Sequence, residues 1–247
     1  MFGSMTLIRR YIHKAAITAA GILMCVLIVG ASAQAGPAIE IGEDAFNFGR
    51  ISQHAVVSHR FTISSVGDDT LRITKIVTGC FCTKAPLEDS VLAPGEQTTL
   101  ELFFSTKSYR GYVNKTTYLE TNIGQAKEYI KISSELLPQP DTIMPIHLSP
   151  ARLDVSQFKP KPRTKARFYI HNKDSVDYRI TLIDHADHVF DVKLPEIVKA
   201  HDSAWGGIIV HDDAIKTEFE HSLTFEINDA NRTRYSLPVK RMYRVKK

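Results

Sequence analysis

The sequence predicts an all-β protein, in which two tandem immunoglobulin-like antiparallel β-sandwich domains follow an N-terminal signal peptide. Three observations favour this fold class. Short segments carry apolar residues at every second position, which is the period of a strand with one buried face. Turn residues separate these segments, and the apolar pattern of the first half recurs in the second half, where Phe168 takes the place of Phe61.

The first 35 residues have the composition of a secretory signal peptide. Arg9, Arg10 and Lys14 form a basic start, an apolar run continues to Gly30, and a small-x-small cleavage sequence ends at Ala35. This order of features is typical of an exported protein. We therefore expect cleavage after about Ala35 and a secreted or periplasmic location. The alternative is an uncleaved segment that anchors the chain in a membrane, because the apolar run approaches the length that a bilayer requires.

Net charge gives little support to a nucleic-acid-binding function. The predicted signal peptide contains three of the 31 Lys and Arg residues and none of the 27 Asp and Glu residues, so the remaining chain carries a net charge of only +1. Electrostatic capture of a polyanion needs an excess of basic side chains. We expect no nucleic-acid partner, and contact with a membrane only through the signal segment if it stays uncleaved.

Residues 36–137 are predicted to form the first sandwich. Phe61 and Ile63 share one face of a predicted strand. The same spacing recurs in four further groups: Leu71 and Ile73; Leu100, Leu102 and Phe104; Tyr112, Thr116 and Tyr118; Ile130 and Ile132. Gly-Asp, Pro-Gly and Asn-Ile-Gly sequences separate these groups and favour turns. Several short strands within about 100 residues are typical of an immunoglobulin-like sandwich.

Residues 138–150 are predicted to be a proline-rich linker, and residues 151–247 a second sandwich. Four prolines, which cannot donate hydrogen bonds to a sheet, lie in the linker segment: Pro138, Pro140, Pro145 and Pro150. The second half repeats the first at one constant shift, in these pairs: Phe61 and Phe168, Ile63 and Ile170, Ile73 and Ile180, Leu102 and Ile209, Tyr118 and Phe225. A constant shift indicates an internal repeat. The second half contains no cysteine.

The first half resembles a known family. The resemblance covers residues 40–135 and includes the sequence FNFG, a Cys-x-Cys-Thr motif that begins at Cys80, a later Pro-Gly and a Thr-Asn. In these features the chain is similar to the bacterial domain of unknown function 1573 family, secreted immunoglobulin-like domains related to the ASPM, SPD-2 and Hydin group. The family motif usually has Gly where this chain has Phe81. Membership implies the fold and an envelope location, and it implies no particular activity.

Cys80 and Cys82 are the first candidate site, and the sequence leaves their role open. If the preceding strand continues through them, both side chains point to one face. Their α-carbons would then lie roughly 6.5–7 Å apart, whereas a disulfide usually needs about 4.4–6.8 Å, so a bridge requires a kink. The alternatives are a structural role as buried thiols or a local disulfide, redox or mixed-disulfide chemistry, and attachment of a soft metal such as Cu(I). An exported protein enters an oxidising compartment, which favours sulfur-sulfur bonds.

His185 and His188 are the second candidate site. Neutral imidazoles are metal ligands, and a spacing of three occurs in metal sites. The loop that matches them in the first half contains the two cysteines. Solvated loop residues are the alternative interpretation.

The sequence predicts a non-enzymatic binding or scaffolding module with a protein partner in the cell envelope. It contains no Gly-x-Ser-x-Gly elbow, phosphate-binding glycine loop or zinc-protease pattern. We therefore expect no catalytic residues, no small-molecule substrate and no cofactor, with copper as a subordinate possibility. The alternative function is a thiol-dependent envelope protein that uses Cys80 and Cys82 for copper binding or disulfide exchange.

Overall fold

The structure, a computed structural model, describes residues 36–107, 109–137 and 144–244. The predicted signal peptide lies outside these residues, and so do residues 138–143 of the predicted linker. In the described ranges, strands are the only long regular elements, which confirms the all-β prediction. No helix in those ranges is long and apolar enough to cross a bilayer.

The first half contains the following strands, in chain order: β1 (Ile39–Ile41), β2 (Ala45–Ser52), β3 (Val56–Ser65), β4 (Leu71–Thr78), β5 (Thr83–Lys84), β6 (Val91–Leu92), β7 (Gln97–Ser105), β8 (Gly111–Thr121) and β9 (Lys127–Leu137). The second half contains these: β10 (Ile146–Ser149), β11 (Leu153–Asp154), β12 (Lys165–Asn172), β13 (Tyr178–His185), β14 (Phe190–Lys193), β15 (Ile197–Val198), β16 (Ser203–Val210), β17 (Phe219–Ile227) and β18 (Arg234–Arg241).

The predicted alternation of buried and exposed positions is present in the strands. On β7, Leu100, Leu102 and Phe104 are all buried, and the residues between them are only partly buried. Strand β8 has the predicted period, but the prediction that Tyr112, Thr116 and Tyr118 share its buried face is wrong. The opposite face, with Thr117, Leu119 and Thr121, is buried, and the Tyr118 ring packs at the surface against Tyr129 of the neighbouring strand.

The strands form two small sheets and one large sheet. The small sheets have the orders β1-β3-β7-β5 and β10-β12-β16-β14, and every pairing within them is antiparallel. The large sheet runs in the order β15-β13-β17-β18-β2-β9-β8-β4-β6, with β11 pairing on β18. Strands of both halves therefore share one sheet.

The two halves have equivalent strand pairings but separate cores. The pair β1 and β3 corresponds to β10 and β12, the pair β8 and β9 to β17 and β18, and the parallel pair β2 and β9 to the parallel pair β11 and β18. One apolar core surrounds Phe61 and Leu100, and another surrounds Phe168 and Phe225. Residues Gly36–Lys247 nevertheless form one compact unit. A tandem pair of independent domains therefore stays a prediction.

Part of the predicted linker is a strand. In the described residues 144–150, Ile146 and Leu148 are buried and lie on β10, which pairs with β12. The spacing of these two apolar residues is that of a strand with one buried face. This part of the segment belongs to the sheet of the second half.

Strands β18 and β2 join the halves through a parallel pairing at Tyr235 and Arg50. Next to this point, Gly49 has a positive φ of 66°, and a Cβ there would overlap the carbonyl group of Arg234. The Ser236 hydroxyl donates a hydrogen bond of 2.7 Å to the Phe48 carbonyl. The backbones approach so closely here that only glycine fits, and its conformation is one that other residues adopt at a cost.

We predict that Gly49→Ala destabilises the protein by about 3 kcal/mol or more, because the methyl group adds a steric clash to the cost of the left-handed conformation. Gly111 is a matched control, since its φ is 67° and a Cβ there would meet no atom within 4 Å. Gly111→Ala should lower the free energy of unfolding by only about 1–2 kcal/mol. Urea unfolding followed by circular dichroism measures both values, and equal losses would contradict the proposed constraint at the junction.

Candidate functional site

Cys80 and Cys82 form a disulfide bond with a Cα–Cα distance of 5.2 Å. Strand β4 ends at Thr78, two residues before Cys80, and β5 begins only at Thr83. The segment between these strands is a turn, so the α-carbons lie closer than in a continued strand and within the ordinary range for a disulfide. Of the alternatives that the sequence left open, the structure contains the local disulfide.

The disulfide loop is fixed to the first half at its base. Cys82 is buried within the core of that half. The Cys82 carbonyl accepts a hydrogen bond of 2.8 Å from the backbone N–H of Ser105 on β7, and the Cys80 carbonyl accepts one of 3.3 Å from the N–H of Thr83. The loop is thus held both by a covalent bond across its ends and by the neighbouring strand.

Phe81, between the two cysteines, is fully exposed to solvent. Burying a phenylalanine side chain against an apolar surface is worth about 1.5–3 kcal/mol, and among the described residues this ring is buried against none. Exposed single apolar residues are common on proteins. What distinguishes Phe81 is its position on a loop whose backbone is fixed, because a binding partner would not have to order that backbone.

A groove of about 740 Å³ lies beside the loop and is lined by residues of both halves. Phe81, Cys82 and Phe103 line it from the first half, and Phe219 and His221 line it from the second. Its floor and walls therefore combine aromatic rings with polar groups, which is the usual composition of a binding cleft.

One wall of the groove includes Arg241, which is buried. Its guanidinium donates hydrogen bonds of 2.6 Å to the Val155 carbonyl, 2.8 Å to the Arg163 carbonyl and 2.8 Å to Oε1 of Gln157. Burial lowers the pKa of Arg241 from its usual value, although an arginine stays charged near neutral pH. These acceptors satisfy the N–H donors of the buried guanidinium and hold the Arg241 side chain in one conformation.

Polar contacts between β3 and β17 hold the halves together next to the groove. The backbone N–H of Ser58 donates a hydrogen bond of 3.1 Å to the Ser222 hydroxyl. His59 is buried, its Nδ1 lies 2.9 Å from Oδ2 of Asp184, and its ring stacks on Phe46 with 3.7 Å between centroids. Hydrogen bonds and ring stacking require defined distances and angles. These contacts therefore fix the distance between the two walls of the groove.

The two histidines of the second candidate site have different surroundings. His185 ends β13, and its ring lies 6.1 Å from that of Phe190. His188 lies in the following turn, and its ring faces His221 of β17 with 5.3 Å between centroids. Burial and the nearby Arg60 guanidinium lower the pKa of His188. The structure thus brings His188 to a residue of the groove and leaves His185 against an aromatic ring.

Sequence reasoning missed several residues of this site. Phe103 and Phe219 lie on strands whose period was recognised, but their place at a junction between halves depends on contacts between distant segments. In the sequence, Phe81 stands out only as a departure from the family motif. The local signal for an exposed Phe81 is the pair of cysteines on either side of it. A disulfide between them holds the residue in a turn, where its side chain cannot easily pack into the core.

A family model matches part of the chain. Residues 39–136 match the model described as "Protein of unknown function (DUF1573)". Among curated proteins, none matches.

The chain is also similar to solved structures. A protein of unknown function from Porphyromonas gingivalis W83 is 15% identical, with a TM-score of 0.35, over 83% of this chain and 99% of that one. The ASH or PapD-like domain 7 of human CEP192 is 8% identical, with a TM-score of 0.36, over 45% of this chain and 98% of that one. The VesB protease of Vibrio cholerae is 14% identical, with a TM-score of 0.31, over 40% of this chain and 31% of that one. At these TM-scores the likenesses carry no argument about function.

The family match agrees with the resemblance that the Cys-x-Cys-Thr motif and the strand pattern indicated, and it covers the half that contains the disulfide loop. Residues 39–136 of this chain therefore match the DUF1573 family, whose function is unknown.

Proposed function

We propose that the protein is a non-enzymatic binding module of the cell envelope, built from two tandem immunoglobulin-like sandwiches, and that it holds a protein partner through the Phe81 loop and the adjoining groove. The observation that carries this proposal is the full exposure of Phe81 on a loop that a disulfide and β7 hold in place. Aromatic side chains on preorganised loops are frequent anchors of protein interfaces.

The groove favours a protein partner over a small polar ligand. Besides its aromatic rings, it has charged residues of both signs, such as Lys84 and Glu218, and an ion pair of 2.7 Å between Lys240 and Glu220. An apolar centre with a charged rim resembles the anatomy of protein interfaces. Phe81 supplies the apolar anchor, and the rim charges provide orientation.

Export to an oxidising compartment is part of the same proposal. The first 35 residues have the pattern of a signal peptide, and a disulfide persists in secreted and periplasmic proteins but is rare in the cytosol. The tandem architecture rests on the equivalent strand pairings of the two halves and on their separate cores.

We predict that Phe81→Ala weakens partner capture by about 30-fold, because truncation of an interface anchor commonly costs 2 kcal/mol or more. The stability of the protein itself should change by less than about 0.5 kcal/mol, since the side chain is exposed. Phe158 is a matched control, because it is also exposed and does not line the groove.

The measurement is a pull-down from envelope extract with the wild type, Phe81→Ala and Phe158→Ala, combined with a photo-crosslinking residue at Lys84. Mass spectrometry identifies the crosslinked protein. We expect Phe158→Ala to capture the same protein as the wild type. Undiminished capture by Phe81→Ala, or an equal loss in both variants, would refute the proposed site.

Disulfide exchange is the second candidate function, because Cys80 is only partly buried and its sulfur is bonded to that of the buried Cys82. Copper binding would require both thiols in reduced form. Exchange predicts that Cys82→Ser, which leaves Cys80 as a free nucleophile, accumulates mixed disulfides with other envelope proteins. The binding module predicts no such adducts.

Removal of the disulfide tests its structural contribution separately. We predict that Cys80→Ser combined with Cys82→Ser lowers the free energy of unfolding by about 1.5 kcal/mol, which is the loop-closure effect for so short a loop. Urea unfolding with and without a reducing agent measures this value. The reducing agent should change the wild type and leave the double variant unaffected; a double variant as stable as the oxidised wild type would contradict the prediction.

A further inference from the structure

Three potential metal ligands from distant segments converge at the junction of the two halves. Glu101 lies on β7, His188 in the turn after β13, and His221 on β17. Each offers one ligand atom, and these atoms all lie within 4.8 Å of one another. The sequence distance between the three residues means that only the folded chain assembles this group.

His221 and Glu101 are already held in position. Nδ1 of His221 lies 3.1 Å from Oε1 of Glu101 and 2.9 Å from the Ser58 hydroxyl. The His221 ring is buried, and the rings of Phe103 and Phe219 lie 5.4 Å and 5.6 Å from it. These packed rings orient the His221 imidazole, so it loses little entropy when its Nδ1 exchanges the contact with Ser58 for an ion.

His188 is the movable member of the group. Its side chain is 39% exposed, and its ring is nearly perpendicular to that of His221, at an angle of 82°. Its ligand atom lies within 4.8 Å of those of Glu101 and His221, and a neutral imidazole is a common metal ligand.

Arg60 opposes a cation at this position, since its Nη1 lies 3.4 Å from Nδ1 of His188. Two carboxylates offset its charge, because Glu88 lies 3.0 Å from Nη2 and Asp187 lies 3.7 Å from Nη1. The Arg60 side chain is 34% exposed and therefore has room to turn toward Glu88. We expect it to reduce the affinity for a cation without blocking the site.

We propose that Glu101, His188 and His221 bind a divalent transition metal, with Zn²⁺ as the ion that best matches two imidazoles and one carboxylate. Tetrahedral Zn²⁺ with bonds of about 2.1 Å places its ligand atoms roughly 3.4 Å apart. Oε1 of Glu101 and Nδ1 of His221 are near that spacing, at 3.1 Å. The ligand atom of His188 lies within 4.8 Å of theirs, so a shift of its exposed side chain closes the site.

The position of the site gives the ion two roles. Because Glu101 belongs to the first half and the histidines to the second, the ion cross-links the halves and stabilises the folded state by mass action. Glu101 and His221 also line the groove beside Phe81, so water or a side chain of a bound partner can supply the fourth ligand. Metal binding at this site does not depend on the proposed partner and is tested without one.

The experiment is isothermal titration of chelator-treated protein without a histidine tag, using Zn²⁺ alone as the probe. We expect one Zn²⁺ per chain and a higher melting temperature in its presence. His188→Ala and Glu101→Gln should each weaken binding by at least about tenfold. His188 is exposed, so its variant should fold, which circular dichroism checks.

His185→Ala is the matched control, since His185 is the histidine that sequence spacing pairs with His188, and it lies outside the converging group. This variant and the double cysteine variant should both retain wild-type affinity. The proposal is wrong if the wild type takes up no Zn²⁺ at concentrations up to about 100 μM, if His188→Ala binds as the wild type does, or if His185→Ala loses binding equally. Failure of this test leaves the Phe81 interface unaffected, because that interface is measured separately.

Discussion

The parallel pairing of β18 with β2 determines the relative position of everything else in this protein. It joins the large sheet across the halves at Tyr235 and Arg50, and it requires a glycine at position 49, where the Arg234 backbone leaves no space for a side chain. Once that pairing is made, β3 lies against β17 through Ser58 and Ser222. The width of the groove and the distances between the histidines and carboxylates of the two halves all depend on this junction.

The junction between the halves buries polar and charged side chains. His59 and His221 are both buried with carboxylates nearby, and Arg241 is buried among carbonyl groups. Such groups stabilise a structure only when their hydrogen bonds are satisfied, and then they favour one arrangement over its competitors. Two purely apolar faces could slide past each other, whereas these paired groups define a single relative orientation. A groove with a defined shape depends on that orientation.

The sequence predicted the strands well because the period of a half-buried strand is a local property. The alternation at Leu100, Leu102 and Phe104 corresponds directly to the burial on β7. The ends of the strands were harder to predict from the sequence. The alternation around Leu71 and Ile73 carries no signal that β4 stops at Thr78, so the sequence alone does not decide whether Cys80 and Cys82 can form a bond.

The candidate site could be predicted only in its local part. The cysteines, Phe81 and the His185–His188 spacing are visible along the chain, but the partners of His188 lie on β7 and β17 and meet it only through the junction of the halves. No periodicity relates Glu101 to His221. Local patterns therefore indicated one residue of the converging group, His188, and paired it with a histidine that the fold places against Phe190 instead.

The shared sheet also has a consequence for any fragment of this protein. Separated from its counterpart, the first half would leave the outer side of β2 without its neighbour. The second half would leave unpaired the part of β18 around Tyr235, which β11 does not cover. An unpaired edge strand can form backbone hydrogen bonds with a strand of another molecule, including the same strand of a second copy. A severed half would thus tend toward intertwined dimers or aggregates, and proteolytic trimming between the halves would change the assembly state of the protein as well as its length.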